Sequence, residues 1–193
     1  MTVACDVNGR EAAEPWIGAA SPTHPSLIDA QFVVAGLYNT RNVPAVFWID
    51  ESGRIVRGND PIYALRLNRE TGERTPNDQY QEGVRDWVAN GPASRFVTDA
   101  EETAKRIGTP DAENAQASTH FRLGVYLQEQ GRTAEAIEEF KRAHALKPDN
   151  WNYKRQAWAL ADLEQDYGLT REQAFQSGIP LYPPLQLPEP EAP

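Results

Sequence analysis

A proline followed by two short apolar runs around a tight turn constrains the fold of this chain most. Residues 42–56 read Asn-Val-Pro-Ala-Val-Phe-Trp-Ile-Asp-Glu-Ser-Gly-Arg-Ile-Val. The apolar run 46–49, rich in β-branched and aromatic residues, predicts a buried strand. The next four residues predict a hairpin loop in which Gly53 takes a positive φ, and the last three return antiparallel. Pro44 can begin a strand but cannot lie inside one, because it has no N–H to donate.

Four further elements precede this hairpin. The sequence predicts strands over 2–7 and 26–29, and helices over 11–20 and 31–38. In this order, residues 1–58 resemble the C-terminal half of a thioredoxin-like domain of the TlpA/ResA and AhpC/TSA-related groups. The resemblance implies an incomplete βαβαββ sheet domain in the first part of the chain.

The resemblance also implies a substrate site. In that family, the residue before a cis proline offers its backbone to an extended peptide or thiol substrate, and here those positions are Val43 and Pro44. An X-Pro bond adopts the cis form at a cost of only about 0.5–1 kcal/mol, so both a cis bond and a trans proline that ends a loop are open.

The redox cysteine motif of the thioredoxin-like family is absent from this chain. Family members carry Cys-x-x-Cys on a helix before the segment that matches here, whereas Cys5 is the only cysteine. A truncated N-terminus, a sheet that closed over the gap, or a strand supplied by a partner each explain the missing segment. An exposed sheet edge would then favour a homo-oligomer. Because it lies inside a strand and alternates with valines, we expect Cys5 to be a buried, unreactive thiol.

The second half of the chain carries a different signature. Seven apolar or small residues fall at the offsets of a tetratricopeptide (TPR) repeat, a helix–turn–helix unit: Leu123, Gly124, Leu127, Ala136, Phe140, Ala143 and Pro148. Gly124 and Ala136 allow the two helices to approach closely, and Phe140 fills the space between them. We expect Gly131 to end the first helix in the left-handed conformation and Thr133 to cap the second.

Flanking helices complete the predicted TPR-like domain over 99–178. Asp99 is expected to cap a helix that Gly108 ends, and Thr170 and Gln173 to form a capping box. Residues 151–167 are predicted to form one helix that stacks as the first helix of a following repeat.

Two less regular segments complete the chain. Residues 59–98 are predicted to be a linker, with a mobile connector over 61–77 and one amphipathic helix over 78–90. Residues 179–193 form a proline-rich tail that should be extended. Either the tail lies along the repeats, or its Pro-x-x-Pro spacing binds an aromatic groove.

Composition and spacing exclude several functions. The net charge of −9 argues against nucleic-acid binding, which depends on basic residues. The sequence has no apolar run of the roughly 20 residues needed to span a bilayer, so a cytoplasmic location is expected. His24, His120 and His144 lack metal-ligand spacing, so no metal site is predicted. No cofactor and no catalytic residue are predicted either.

The sequence therefore predicts an α/β domain followed by an all-α domain, with two functional hypotheses. The first is a member of the thioredoxin-like thiol–disulfide redox family with a TPR module, not catalytically competent as this chain because the redox cysteines are absent. The alternative is a non-catalytic TPR scaffold that binds a partner's peptide. Whether the chain is an enzyme is left undecided. The expected partners are a protein or peptide on the TPR surface, a thiol substrate and a second copy of the chain.

Overall fold

The structure is a computed structural model that describes residues 1–61, 65–68, 71–176 and 178–189. Residues 62–64 and 69–70 of the predicted connector, and 190–193 of the predicted tail, lie outside these ranges. The described strands are β1 (Thr2–Ala4), β2 (Ser26–Ile28), β3 (Val46–Ile49), β4 (Ile55–Asp60), β5 (Leu65–Leu67) and β6 (Arg74–Pro76). The described helices are α1 (Gly9–Ala20), α2 (Val33–Leu37), α3 (Asp78–Asn90), α4 (Ala100–Ile107), α5 (Ala112–Glu129), α6 (Thr133–Leu146), α7 (Trp151–Ala159), α8 (Leu163–Tyr167) and α9 (Arg171–Phe175); a 3-10 helix, Gly91–Ala93, follows α3.

The chain forms two compact units, each made of two separate segments. The helical unit comprises Met1–Val43 and Pro110–Leu181. The mixed unit comprises Pro44–Thr109 and Tyr182–Pro193. These units group residues in space, whereas the boundaries 1–58, 59–98, 99–178 and 179–193 divide the chain in sequence and stay predictions.

The described strands form three separate two-stranded sheets. β1 and β2 pair in parallel in the helical unit, with Thr2 opposite Ser26. In the mixed unit β3 pairs antiparallel with β4, and β5 with β6. The single thioredoxin-like sheet predicted over 1–58 is therefore not confirmed in the described residues.

Packing explains why the first strand pair stays with the helices. Cys5 and Val7, which follow β1, pack against the core of the helical unit. The backbone N–H of Val7 also donates to the side-chain oxygen of Gln156 at 2.9 Å. A two-stranded sheet cannot bury an apolar side by itself, so β1 and β2 use the helical core for that purpose.

Several helix boundaries follow the predicted capping residues. Helix α3 spans residues 78–90, as predicted. The Asp99 carboxylate accepts from the N–H of Glu102 at 2.8 Å, and α4 ends at Gly108, which has a φ of 76°. The predicted capping box of α9 is confirmed, because Thr170 and Gln173 each accept from the other's backbone N–H.

Two local predictions are wrong. Residues 151–167 form two helices instead of one, because the Asp162 carboxylate accepts from the N–H groups of Glu164 and Gln165 and starts α8. Thr133 does not cap α6. The N-cap position belongs to Arg132, which makes no side-chain capping bond, although Gly131 has the predicted positive φ of 72°.

Candidate interaction surfaces

The predicted repeat is present as the antiparallel pair α5 and α6. A methyl group added at Gly124 would lie 2.6 Å from the Phe140 ring and 3.2 Å from the Ala136 carbonyl oxygen, so only glycine permits this approach. Phe140 and Ala136 are both fully buried. The packing roles predicted for these three residues are confirmed.

One face of α5 is filled by the chain's own N-terminal segment. The Phe121 ring stacks on Tyr153 of α7 at a centroid distance of 4.4 Å and meets the edge of Phe32 at 5.3 Å. Asn152 fixes the segment further, since its amide donates to the Thr40 carbonyl at 2.8 Å. The face of α5 that carries Phe121 is thus packed in the described structure.

A cavity of about 240 Å³ opens beside this packed face, between α2, the start of α5 and the start of α7. Its wall carries the cations Arg122 and Lys147. Lys147 is neutralised by Asp111 at 3.2 Å and Glu113 at 3.8 Å. Arg122, in contrast, is exposed and forms no ion pair with any described residue. The cavity therefore presents one uncompensated positive charge.

A second cavity, of about 330 Å³, lies along the outer face of α5 and shares Arg122 with the first. Its wall includes Leu123, 41% exposed, and Tyr126, 54% exposed. Leu123 lies at a repeat offset, yet its side chain is not buried. Exposed apolar side chains that adjoin each other mark interaction surfaces more often than single ones do. We call Arg122, Leu123 and Tyr126 the α5 strip.

The mixed unit contains a buried ion pair that sequence reasoning missed. Opposite the two-residue step from Val46 to Trp48, β4 makes a three-residue step from Arg57 to Asp60, so it carries a bulge. Asn59 within this step has a φ of 59°. The bulge places the two charged side chains on one side of the strand, although residues three apart on a regular strand face opposite sides.

Arg57 and Asp60 form a bidentate pair, with distances of 2.5 and 3.0 Å, and are only 1% and 3% exposed. Tyr80 donates its hydroxyl to Asp60 at 3.3 Å and accepts from the Trp48 indole N–H at 2.8 Å. Burial raises the pKa of Asp60, and the Arg57 guanidinium opposes this shift. Burial also raises the pKa of the Tyr80 hydroxyl, which therefore stays a donor at neutral pH.

The described part of the tail belongs to both units: residues up to Leu181 to the helical unit, and residues 182–189 to the mixed unit. The carbonyls of Pro180 and Leu181 accept from Trp151 and Asn42, as a tail along the repeats predicts. From Leu185 onward, however, the tail packs on the cluster of Trp48, Tyr80 and Phe96 in the mixed unit. The prediction that the tail follows the repeats is therefore wrong from Leu185 onward, because Leu185 and Leu187 pack on the aromatic cluster of the mixed unit instead.

The predicted substrate residues lie where the two units meet in sequence. Val43 is half-buried and its N–H donates to the Asn42 side chain at 3.0 Å, while Pro44 is exposed. The substrate-binding role of these two residues stays a prediction.

Cys5 has the features of the unreactive thiol that was expected. It is partly buried, and desolvation together with the charge of Asp29 raises the pKa of the thiol to about 11. The thiol is therefore protonated at neutral pH, whereas the thiolate is the nucleophilic form. No group of three or more His, Cys, Asp or Glu residues within the described ranges could hold a metal ion.

The missed residues had weak sequence signals. Arg57 and Asp60 follow the apolar start of β4, and charged residues next to a buried strand can be read as solvent-facing. Only the unusual Gly-Asn pair between them, at residues 58–59, hinted at a bulge. The leucines at 185 and 187 alternate within the tail, which is the pattern of an extended segment with one apolar side.

Comparison with known proteins supports the repeat alone. The family model described as tetratricopeptide repeat matches residues 117–150, which span most of α5, all of α6 and the turn after it. No curated protein and no solved structure matches the chain. Of the described helices, none is long and apolar enough to cross a membrane. The chain thus contains a TPR repeat, which indicates a protein-interaction role, and the comparisons give no evidence for the thioredoxin-like resemblance.

Proposed function

We propose that this chain is a non-catalytic interaction protein whose helical unit binds a peptide of a partner protein. The observation that carries the proposal is the TPR match over 117–150, since repeats of this kind build protein-binding surfaces. The face of α5 that carries Phe121 is covered by Phe32 and Tyr153, so the binding surface is the α5 strip with its two adjoining cavities.

The chemistry of the α5 strip defines the partner. Leu123 and Tyr126 offer apolar contact, and Tyr126 adds a hydroxyl, a combination that is common at protein interfaces. Arg122 offers a guanidinium that no described carboxylate occupies, and arginine binds carboxylates in a bidentate manner. The fitting partner is a peptide with an apolar side chain next to an acidic group.

Peptide display on the immobilised full chain tests this proposal. We expect it to enrich peptides with an acidic residue close to a large apolar one. Arg122→Glu should weaken their binding at least about tenfold, because repulsion replaces attraction. Arg171→Glu is the matched control, since Arg171 is an exposed arginine of α9 that lines neither cavity. Enriched peptides whose binding is indifferent to Arg122 and to Leu123→Asp would contradict the proposal.

A redox assay distinguishes the non-catalytic proposal from a thiol–disulfide role, because only the thiol–disulfide role predicts reduction of a disulfide substrate. Cys5 is the sole cysteine, and its raised pKa opposes nucleophilic attack at neutral pH. The chain should therefore not reduce insulin disulfides in the presence of dithiothreitol faster than a Cys5→Ala variant does. Turnover that depends on Cys5 would favour the redox hypothesis over the scaffold.

A further inference from the structure

Residues 185–189 are bound by the mixed unit in the way that a receptor binds an extended peptide. Leu185 and Leu187 both pack against the cluster of Trp48, Tyr80 and Phe96. Side chains two residues apart point to the same side of an extended chain, so one edge of the tail is apolar. We call the surface that receives this edge the tail groove.

Side chains of the mixed unit also bind the tail's backbone. Three of them donate to its carbonyl oxygens: Arg57 to Gln186 at 2.5 Å, Gln79 to Pro188 at 2.6 Å and Arg95 to Glu189 at 2.8 Å. Donors to main-chain carbonyls recognise an extended backbone, and the pockets for alternate side chains supply the sequence preference. The tail groove thus has both parts of a peptide-binding site.

The central donor is preorganised. Arg57 is held by Asp60 from one side, donates to the Phe96 carbonyl at 3.1 Å, and stacks over the Trp48 ring at 5.5 Å. A buried guanidinium fixed in this way does not lose side-chain entropy when it binds a carbonyl. The network around Arg57 therefore serves the tail groove as well as the core of the unit.

The segment before the bound residues is built as a stiff connection. Pro183 and Pro184 immediately precede Leu185 and restrict the backbone to extended conformations. The tail enters the tail groove without forming a strand or helix. Side chains of the mixed unit hold residues 185–189, and such an attachment can open without breaking a sheet or a helix.

We propose that the tail groove binds the tail of a second copy of this chain, so that two copies exchange residues 185–189 reciprocally. The structure itself displays the fit of this sequence to the tail groove. A foreign peptide would have to displace a tethered ligand whose effective concentration is of millimolar order. A reciprocal exchange leaves both tail grooves filled by identical contacts, which makes a second copy the favoured partner.

Two full-length variants test the exchange by complementation. Leu185→Asp with Leu187→Asp disables the tail and leaves the groove intact. Gln79→Glu with Arg95→Glu disables the tail groove and leaves the tail intact. Because Gln79 is half-buried and Arg95 is exposed, we expect this variant to keep the fold. We expect each variant alone to sediment as a monomer. Their equimolar mixture should contain a heterodimer, because one intact tail then meets one intact groove.

The wild-type chain and a free peptide complete the experiment. The wild-type chain should dimerise with rising concentration, and a peptide of residues 181–193 should dissolve the heterodimer. The same peptide with both leucines replaced by aspartate should need at least about tenfold higher concentration. A mixture that stays monomeric, a wild-type chain still monomeric at about 1 mM, or dimers of either variant alone would overturn the exchange.

Discussion

The helical unit and the mixed unit stabilise their cores in different ways. Around the repeat, Phe121 and Phe140 are fully buried among alanines and a glycine, and the fit of apolar shapes dominates. In the mixed unit, the buried aromatic cluster adjoins Arg57 and Asp60, whose charges compensate each other, and Arg106 adds a second, longer ion pair to Asp60 at 3.8 Å. Apolar packing tolerates the loss of one contact better than a buried charge tolerates the loss of its partner.

The largest expected effect comes from breaking the buried pair. Asp60→Asn leaves the Arg57 guanidinium without a counter-charge, which should lower the free energy of unfolding by about 3–5 kcal/mol. Asp149→Asn is the control in the helical unit, because it breaks an exposed pair with Arg41 and should cost at most about 1 kcal/mol. Urea denaturation of both variants measures the two losses. Equal losses of unfolding free energy would show that the mixed unit does not depend on its charged pair more than the helical unit does.

The next effect is a histidine-linked pH dependence of the helical unit, which contains all three histidines. Burial and the charge of Lys154 lower the pKa of His144 to about 4, and its Nε2 has no hydrogen-bond partner among the described residues. As the pH falls from 6.5 to 4, the unfolded chain takes up a proton that the folded chain does not. The helical unit should lose on the order of 3 kcal/mol over this range.

Hydrogen exchange between pH 7 and pH 4 resolves this loss by unit. A His144→Phe variant should keep the stacking on Tyr167, whose ring lies 5.8 Å away, and should lack most of the extra acid sensitivity. Amides of the mixed unit should respond alike in both proteins. An unchanged pH profile in the variant would remove His144 as the cause.

The smallest of the three effects tests how closely the helices of the repeat must pack in the helical unit. Gly124→Ala introduces a methyl group 2.6 Å from the Phe140 ring and should destabilise by about 1–3 kcal/mol despite its better helix propensity. At Gly18 in α1 the same change meets no atom within 4 Å and should stabilise by about 0.5–1 kcal/mol. Thermal melts of both variants test the contrast, and a stable Gly124→Ala protein would refute close helix approach.

The repeat could be predicted because its contacts are local in sequence. Gly124, Ala136 and Phe140 lie within one helical hairpin, and spacing alone brings them together. Helix ends were predictable for the same reason, since Asp99 and Thr170 bond to N–H groups three residues away. The candidate surface on α5 was only partly predictable, because exposure of Leu123 depends on which element covers it.

The sheet and the tail could not be predicted in this way. The order of strands over 1–58 fits one sheet, but β1 and β2 are bound by the helices and not by the hairpin of β3 and β4. Periodicity describes which face of a strand is apolar. It does not say which of two cores that face will join.

The sequence by itself determined a TPR hairpin, its flanking caps and a chain with one cysteine and no redox pair. Tertiary structure alone decided that Phe32 packs on Phe121 of the repeat, that Arg57 and Asp60 are buried together, and that Leu185 and Leu187 pack on the aromatic cluster of the mixed unit. The bond from Arg57 to Gln186 joins residues 129 positions apart. Contacts over such separations depend on how whole elements pack, and no local pattern of residues encodes them.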